Sequence, residues 1–213
     1  MAADACSPRW RPRLWHAAAV LAAFFVGVSG NVFAKDADVP KEIARHLSED
    51  EFWWLIEITR EQSHGSQERQ LLALRKALRD RTPDEIEAFQ WHFMRLRYKA
   101  CTWDLWGVVY VINGGCGDDS FLDFRYWLIS RGKTIYESCL KDPQRLAEVP
   151  NVKNCFFEEF GYAADRVYES KFGKPLTIDV PATGSEEPSG VPFKDDPEEL
   201  KKRFPKAWKR FGE

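Results

Sequence analysis

Asp104, Asn113, Asp118, Asp119, Asp123, Arg125 and Tyr126 fall within one short window of the chain. Three tryptophans (Trp103, Trp106 and Trp127) and the run Asn113-Gly114-Gly115-Cys116-Gly117 share that window. Carboxylates, an amide, a guanidinium and a phenol together are groups that hold a small ligand or move a proton. Asp119 and Asp123 are four apart, on one face of a helix, with Tyr126 next along it. Beside a glycine-rich turn, Asp118, Asp119 and Asp123 can gather a hard cation through oxygen ligands. The later Gly and Glu of an EF-hand loop are missing, so a doubled N-cap plus a solvated carboxylate is the favoured reading. No metal site is assigned.

The glycine run admits two chemical uses. Its backbone amides can cup an anion, or it can hold Cys116 near a helix N-terminus, where a thiol pKa falls. The Lys-Ser/Thr ending of a P-loop is absent, as is a Gly-x-Ser-x-Gly elbow, and the window offers Cys116 no histidine base. A tight turn closing a helix, with glycines at positive φ, is the default. Asp104 stands between two tryptophans in an apolar stretch. If buried it needs a partner, Arg125 or backbone amides, and a structural cap or ion pair is favoured. No catalytic residue and no cofactor follow from these patterns.

The elements that position these residues read as helices. Ser48-Glu49-Asp50-Glu51 is a capping box opening a helix to about Gln62. A second helix spans Gln67 to Arg79, with Leu71, Leu74 and Leu78 on one stripe. Thr82-Pro83-Asp84-Glu85 starts a third, running to about Ala100. Thr102 caps the next, Trp103 to Ile112, which is apolar nearly all round and so predicted to be the central, most buried helix. Another follows from Ser120 to Ser130, capped by Asp118 or Asp119 and ended by Gly132. Ile135 to Leu140, a short turn after Asp142-Pro143, and a long helix from about Asn154 to Phe172 complete the body. With no sustained two-residue alternation, the fold class is all-α, an irregular multi-helix bundle. Residues 175–195 read as a surface linker. Leu200, Phe204, Trp208 and Phe211 then put an apolar face on a C-terminal helix within 196–213, expected to pack on the helical domain of 35–174.

The 213 residues are 44% hydrophobic and 14% aromatic, enough for one domain with a real core, and most of the nine tryptophans must serve that core. Residues 1–34 carry Arg9, Arg11 and Arg13, an apolar run from Ala17 to Val28, and Val32-Phe33-Ala34. That is the pattern of a secretory signal peptide, with an uncleaved anchor as the alternative; no lipobox follows the apolar run. Losing that segment, with its three arginines and Asp4, moves the net charge from −2 to −4. A mildly acidic body with mixed charges disfavours nucleic acid. The predicted location is the periplasm or beyond, without stable membrane insertion after cleavage. Four cysteines then remain: Cys101, Cys116, Cys139 and Cys155. In an exported chain an even count favours disulfides over zinc, and three pairings are open. The predicted turn between two antiparallel helices makes Cys139–Cys155 the first candidate.

Phe52-Trp53-Trp54-Leu55-Ile56, the Trp103–Trp127 segment with Asn113-Gly114-Gly115-Cys116 and Asp118-Asp119, and the tail around Ser189-Gly190, Asp196 and Pro205-x-x-Trp208 resemble the bacterial domain-of-unknown-function family DUF4240. The resemblance runs from about Glu49 to the C-terminus. It implies no activity, since the family has none established, and no catalytic residue carries over from it. Family members are commonly cytoplasmic, whereas this chain has a signal-like leader. Cys116 belongs to the family's pattern; Cys101, Cys139 and Cys155 do not.

Two functional readings follow. The first is an exported helical module that binds a protein partner or small ligand without catalysis. The second is an enzyme or ligand site built from Asp104, Asn113, Asp118, Asp119, Asp123, Arg125 and Tyr126, which requires those side chains to converge in a concavity. N-terminal sequencing of the chain from a periplasmic fraction should give Lys35 as the first residue. An intact Met1 chain in the inner membrane would establish the anchor instead.

Overall fold

A computed structural model describes residues 39–178, 180 and 187–212; the leader of residues 1–34 lies outside them. Among the described residues all regular structure is helical: α1 (Lys41–His46), α2 (Glu49–Ser63), α3 (Gln67–Arg79), α4 (Pro83–Lys99), α5 (Trp103–Asn113), α6 (Asp118–Ser130), α7 (Lys133–Lys141), the 3-10 helix η1 (Pro143–Glu148), α8 (Glu158–Gly161), α9 (Ala163–Phe172), α10 (Pro197–Arg203) and α11 (Pro205–Phe211). The fold is all-α with many helices, as the periodicity predicts. No described helix is long and apolar enough to cross a membrane.

Local chemistry sets most of the boundaries. Ser48 and Thr82 each accept from the backbone amide three residues on, while Glu51 and Glu85 reach back to the cap amide. Each box satisfies two amides that the first helical turn leaves open. Thr102 caps α5 through its hydroxyl. Gly132 follows α6 with φ +92°, and a Cβ there would sit 2.0 Å from the Glu57 carboxylate. The positive φ is what favours glycine here, since the Glu57 carboxylate ends a flexible side chain that can move aside.

α2 and α3 form a hairpin and α9 packs on α3 and α4. The interior between α2 and α4 is aromatic, with Phe52 against Phe89 at 4.9 Å between centroids. Buried His92 on α4 bonds the carbonyl of Leu47, 2.9 Å away, and holds the end of the short α1. Burial lowers the His92 pKa, which keeps its imidazole neutral. α4 meets α6 through Phe93 and Tyr126, whose rings are 5.6 Å apart. α5 is flanked by α6, η1 and α11.

Three expectations need correction. Lys41–His46, ahead of the first helix expected from the sequence, is helical. The long helix expected from Asn154 is an irregular run followed by α8 and α9. Asn151 and Asn154 have φ of +56° and +59°, left-handed values that no helix continues. The C-terminal helix is two helices, because Pro205 disfavours helical geometry at the residue before it. Phe204 accordingly has φ −123° and ψ 56°.

The break at Phe204 turns its ring onto α5. Phe204 is 2% exposed, and a Cβ on Gly107 would lie 2.3 Å from its ring. Gly107 therefore gives up helix propensity in exchange for close approach of the tail. The segment before α10 is fastened as well. Trp103 donates its amide to Ser189 and Ser189 donates its own to Cys101, both at 2.9 Å. Phe204→Ala should cost about 3–5 kcal/mol in urea unfolding. Gly107→Ala should cost about 1–3 kcal/mol through overpacking, and much less in a Phe204→Leu background. Equal costs of Gly107→Ala in both backgrounds would refute this account of the glycine.

Candidate functional site

The tryptophan-rich window builds a stack of rings. Trp103 lies on Trp106 (centroids 5.1 Å apart, planes 3° apart) and Trp106 on Phe121 (4.8 Å, 7°). Phe121 continues to Phe124 at 6.0 Å, and Phe124 to Trp127 at 5.9 Å. Five rings thus couple α5 to α6. Phe193, from the segment before α10, closes the near end with its edge toward Trp103 and Trp106. The half-buried α5 face of Trp103, Trp106 and Tyr110 is covered in this way, so α5 is shielded partly by the tail and partly by the helical body. The Trp106 indole donates to the Cys116 carbonyl at 2.8 Å, tying the glycine turn to the stack.

That turn is a helix cap. Gly114 has φ +68°, Gly115 has φ +140°, and Gly115 donates its amide to the Tyr110 carbonyl at 2.9 Å. Asn113 is wholly engaged in holding the fold. Its amide donates to the Val109 carbonyl (3.2 Å) and the Cys155 sulfur (3.5 Å), and its oxygen accepts from the Asn154 amide (3.1 Å). Asp104 is exposed at the start of α5, and its cation is Arg203 of α10 at 2.7 Å, in place of the expected Arg125. Arg203 also donates to the carbonyls of Val191 and Pro192 and so clips the tail.

The remaining candidates are all carried by α6. Asp118 and Asp119 are exposed in its first turn; Gly117 occupies the cap position and neither carboxylate caps the helix. Asp123 is half-buried, and its carboxyl is raised above its ordinary value of 3.8 by burial, then by the charges of Glu158 and Asp119. Arg125 packs over the Phe121 ring and donates to the carbonyls of Phe121 (3.4 Å) and Arg97 (3.5 Å). Tyr126 is buried against Phe93 and Tyr162, and its hydroxyl accepts from Arg97. Burial raises its pKa while the Arg97 bond opposes the rise. Asp119 and Asp123 are neighbours, but Asp104 and Asn113 serve separate contacts of their own.

The model of the family described as a protein of unknown function, DUF4240, matches residues 47–170 of this chain, more than half of it. The chain belongs to the DUF4240 family. No curated protein and no solved structure matches it significantly. The ring stack from Trp103 to Trp127 lies wholly inside the matched DUF4240 region, whereas Phe193, Arg203 and Phe204, which complete its packing, lie beyond it.

None of the four cysteines in the described DUF4240 fold is within disulfide distance of another. The expected Cys139–Cys155 pair is therefore corrected. η1 and the irregular run after it carry Cys155 to the end of α5, beside Asn113, while Cys139 stays on the inner face of α7. Cys116 is likewise not an activated thiol. Burial first, then nearby Cys155, pushes its pKa up to about 12. Cys139 and Cys155 are pushed up to about 11 by burial.

A concavity lies elsewhere on the domain. Gln90, Met94 and Tyr98, four apart on α4, line a cleft of about 250 Å³ with Asp165 of α9 and with Leu176, Ile178 and Val180. The Gln90 amide donates to Asp165 at 3.4 Å, and burial raises the Asp165 carboxyl. A carboxylate among Ala163, Ala164 and Val167 was the available sequence signal for this site. The apolar spacing around it points to core and masks it.

Asp104→Asn should lower stability by about 0.5–1 kcal/mol, as for an exposed pair, because Arg203 keeps its carbonyl partners. Arg203→Ala should cost more, and urea melts of the double mutant should show coupling below about 1 kcal/mol. Asp123→Asn should raise the melting temperature at pH 7. A carboxyl raised in the folded state opposes folding once ionised, so the gain is full above that raised value and vanishes below 3.8. Melts across roughly pH 3–7, where carboxylates titrate, check this sign.

Proposed function

We propose that this DUF4240 protein is an exported, non-catalytic binding module that takes a small ligand in the cleft between α4, Asp165 and Leu176, Ile178 and Val180. The cleft carries this reading: it brings the Asp165 carboxylate and the Gln90 amide together beside Met94, Tyr98 and Leu176 in one concavity, and its exposed surface is mostly polar. Its volume, just below the usual range for such sites, suits only a small ligand. The bonding of Asp104 and Asn113 supports the same reading, since both are engaged in joining segments of the fold. Export rests on the arginine-flanked apolar leader of residues 9–34.

Amide NMR spectra of the protein, titrated with the low-molecular-mass dialysate of a periplasmic extract, test the proposal. Resonances of residues 90–98 and 165 should shift, and Met94→Trp, which fills the cleft, should abolish the response. Shifts centred on Asp118–Asp123, or consumption of a dialysate component, would favour the catalytic reading. No response at the cleft would remove the proposal.

A further inference from the structure

We propose that the outer face of the α2–α3 hairpin docks a second copy of this chain, with α2 of each copy lying on α3 of the other. The surface rests on α2 and α3 alone, so it stands whether or not the cleft takes a ligand. Among the described residues four large apolar side chains are exposed, and two of them, Trp54 and Leu72, stand on these adjoining helices. Each is 58% exposed, whereas Trp53 is 3% exposed and belongs to the core. The interior therefore accounts for Trp53 and leaves Trp54 over. Half-buried Ile58 lies one turn after Trp54, on the same face of α2. Ile58 and Leu72 are both seven residues from Gly65 in the turn, so the hairpin sets them level with one another. An apolar patch rimmed by charge is the makeup of a docking surface.

Charge says what docks there. α2 carries five carboxylates and one arginine, a net −4, while α3 carries four basic residues and one carboxylate, a net +3. Among the described residues no ion pair joins the two helices; Glu49, Asp50 and Glu57 pair with Arg95, Lys133 and Arg60. Glu61, Lys76 and Arg79 are left exposed to solvent. A two-fold axis parallel to the hairpin lays the acidic α2 of one copy along the basic α3 of the other, twice over. That rotation keeps every height along the axis. Trp54 then comes level with Lys76 of the partner subunit, one turn from the partner's Leu72, and Glu61 comes level with the partner's Arg69. The indole gains an apolar side chain and a lysine stem to lie on, and opposite charges meet. A two-fold axis across the hairpin would lay α2 on α2 and α3 on α3, which the charges oppose. The helices have 15 and 13 residues and are about 20 Å long. They offer less than the roughly 800 Å² that each partner gives a standard complex, so the dimer is a reversible one.

Sedimentation velocity of the full chain from micromolar to millimolar concentration is the test. A monomer–dimer equilibrium should appear and should weaken as salt is raised. Trp54→Lys and Leu72→Glu should each leave a monomer at every concentration. Both helices should survive these changes, which circular dichroism checks. Trp54→Lys sets a cation three or four residues from Asp50, Glu51 and Glu57, and Leu72→Glu sets an anion three or four residues from Arg69, Arg75 and Lys76. Lys76→Glu should weaken the dimer about tenfold, since the two-fold repeats each lost contact. In a mixture of isotope-labelled and unlabelled chains, filtered NOE spectra should join the Trp54 indole to Leu72 of the partner subunit. A chain still monomeric at millimolar concentration would overturn the proposal, as would association that survives Trp54→Lys. NOEs that join α2 to α2 alone would overturn it as well, because they belong to the other two-fold axis. Transfer of a monomeric chain onto phospholipid vesicles through Trp54 would replace the second copy with a membrane surface.

Discussion

Gly107 leaves the face of α5 bare over the width of one ring, and the Phe204 ring occupies that space. The organisation of the C-terminal part of the chain depends on this contact. Phe204 reaches α5 because Pro205 breaks the tail into two helices there, and the break aims the ring inward. With Phe204 seated, Phe193 lies over Trp103 and Trp106, and Arg203 meets Asp104. α11 then rests on η1, where Lys206 donates its amide to Gln144 at 2.8 Å. A methyl group at position 107 would disturb each of these contacts in turn.

The same logic explains why so many large rings gather in one window. The stack from Trp103 to Trp127 joins two helices whose own sequences are too apolar to stand alone in water. Its rings are large and few-jointed, so ordering them costs less entropy per unit of buried area than ordering several aliphatic chains. The glycine turn between the helices is short, and the Trp106 indole fixes it from the side. A segment whose composition first suggests chemistry is thus spent on architecture.

Sequence made the local structure legible and the distant pairings illegible. The capping boxes at Ser48 and Thr82, the Thr102 cap and Gly132 each act within a few residues of themselves, and all stand where the pattern places them. The partner of Asp104 lies 99 positions away, so Arg125, the arginine within the motif, is the wrong one. Cys139 and Cys155 looked adjacent because the turn between them was read as a simple hairpin. A 3-10 helix and two left-handed asparagines redirect the chain there. The cleft is illegible for a related reason: Gln90 and Asp165 are 75 positions apart, and each by itself looks like an ordinary polar residue on a helix.

The buried thiols have a kinetic consequence. Cys101, Cys139 and Cys155 are all nearly inaccessible, and the thiolates of Cys116, Cys139 and Cys155 are suppressed by burial. Thiolate is the species that attacks a disulfide, so the finished fold resists oxidation by its surroundings. The nascent chain has no such shelter. In an oxidising compartment, collapse and thiol capture become competing processes, and the first to finish decides the product. Prompt closure of the helices shelters the thiols, whereas a delay opens a route to mispaired, kinetically trapped chains.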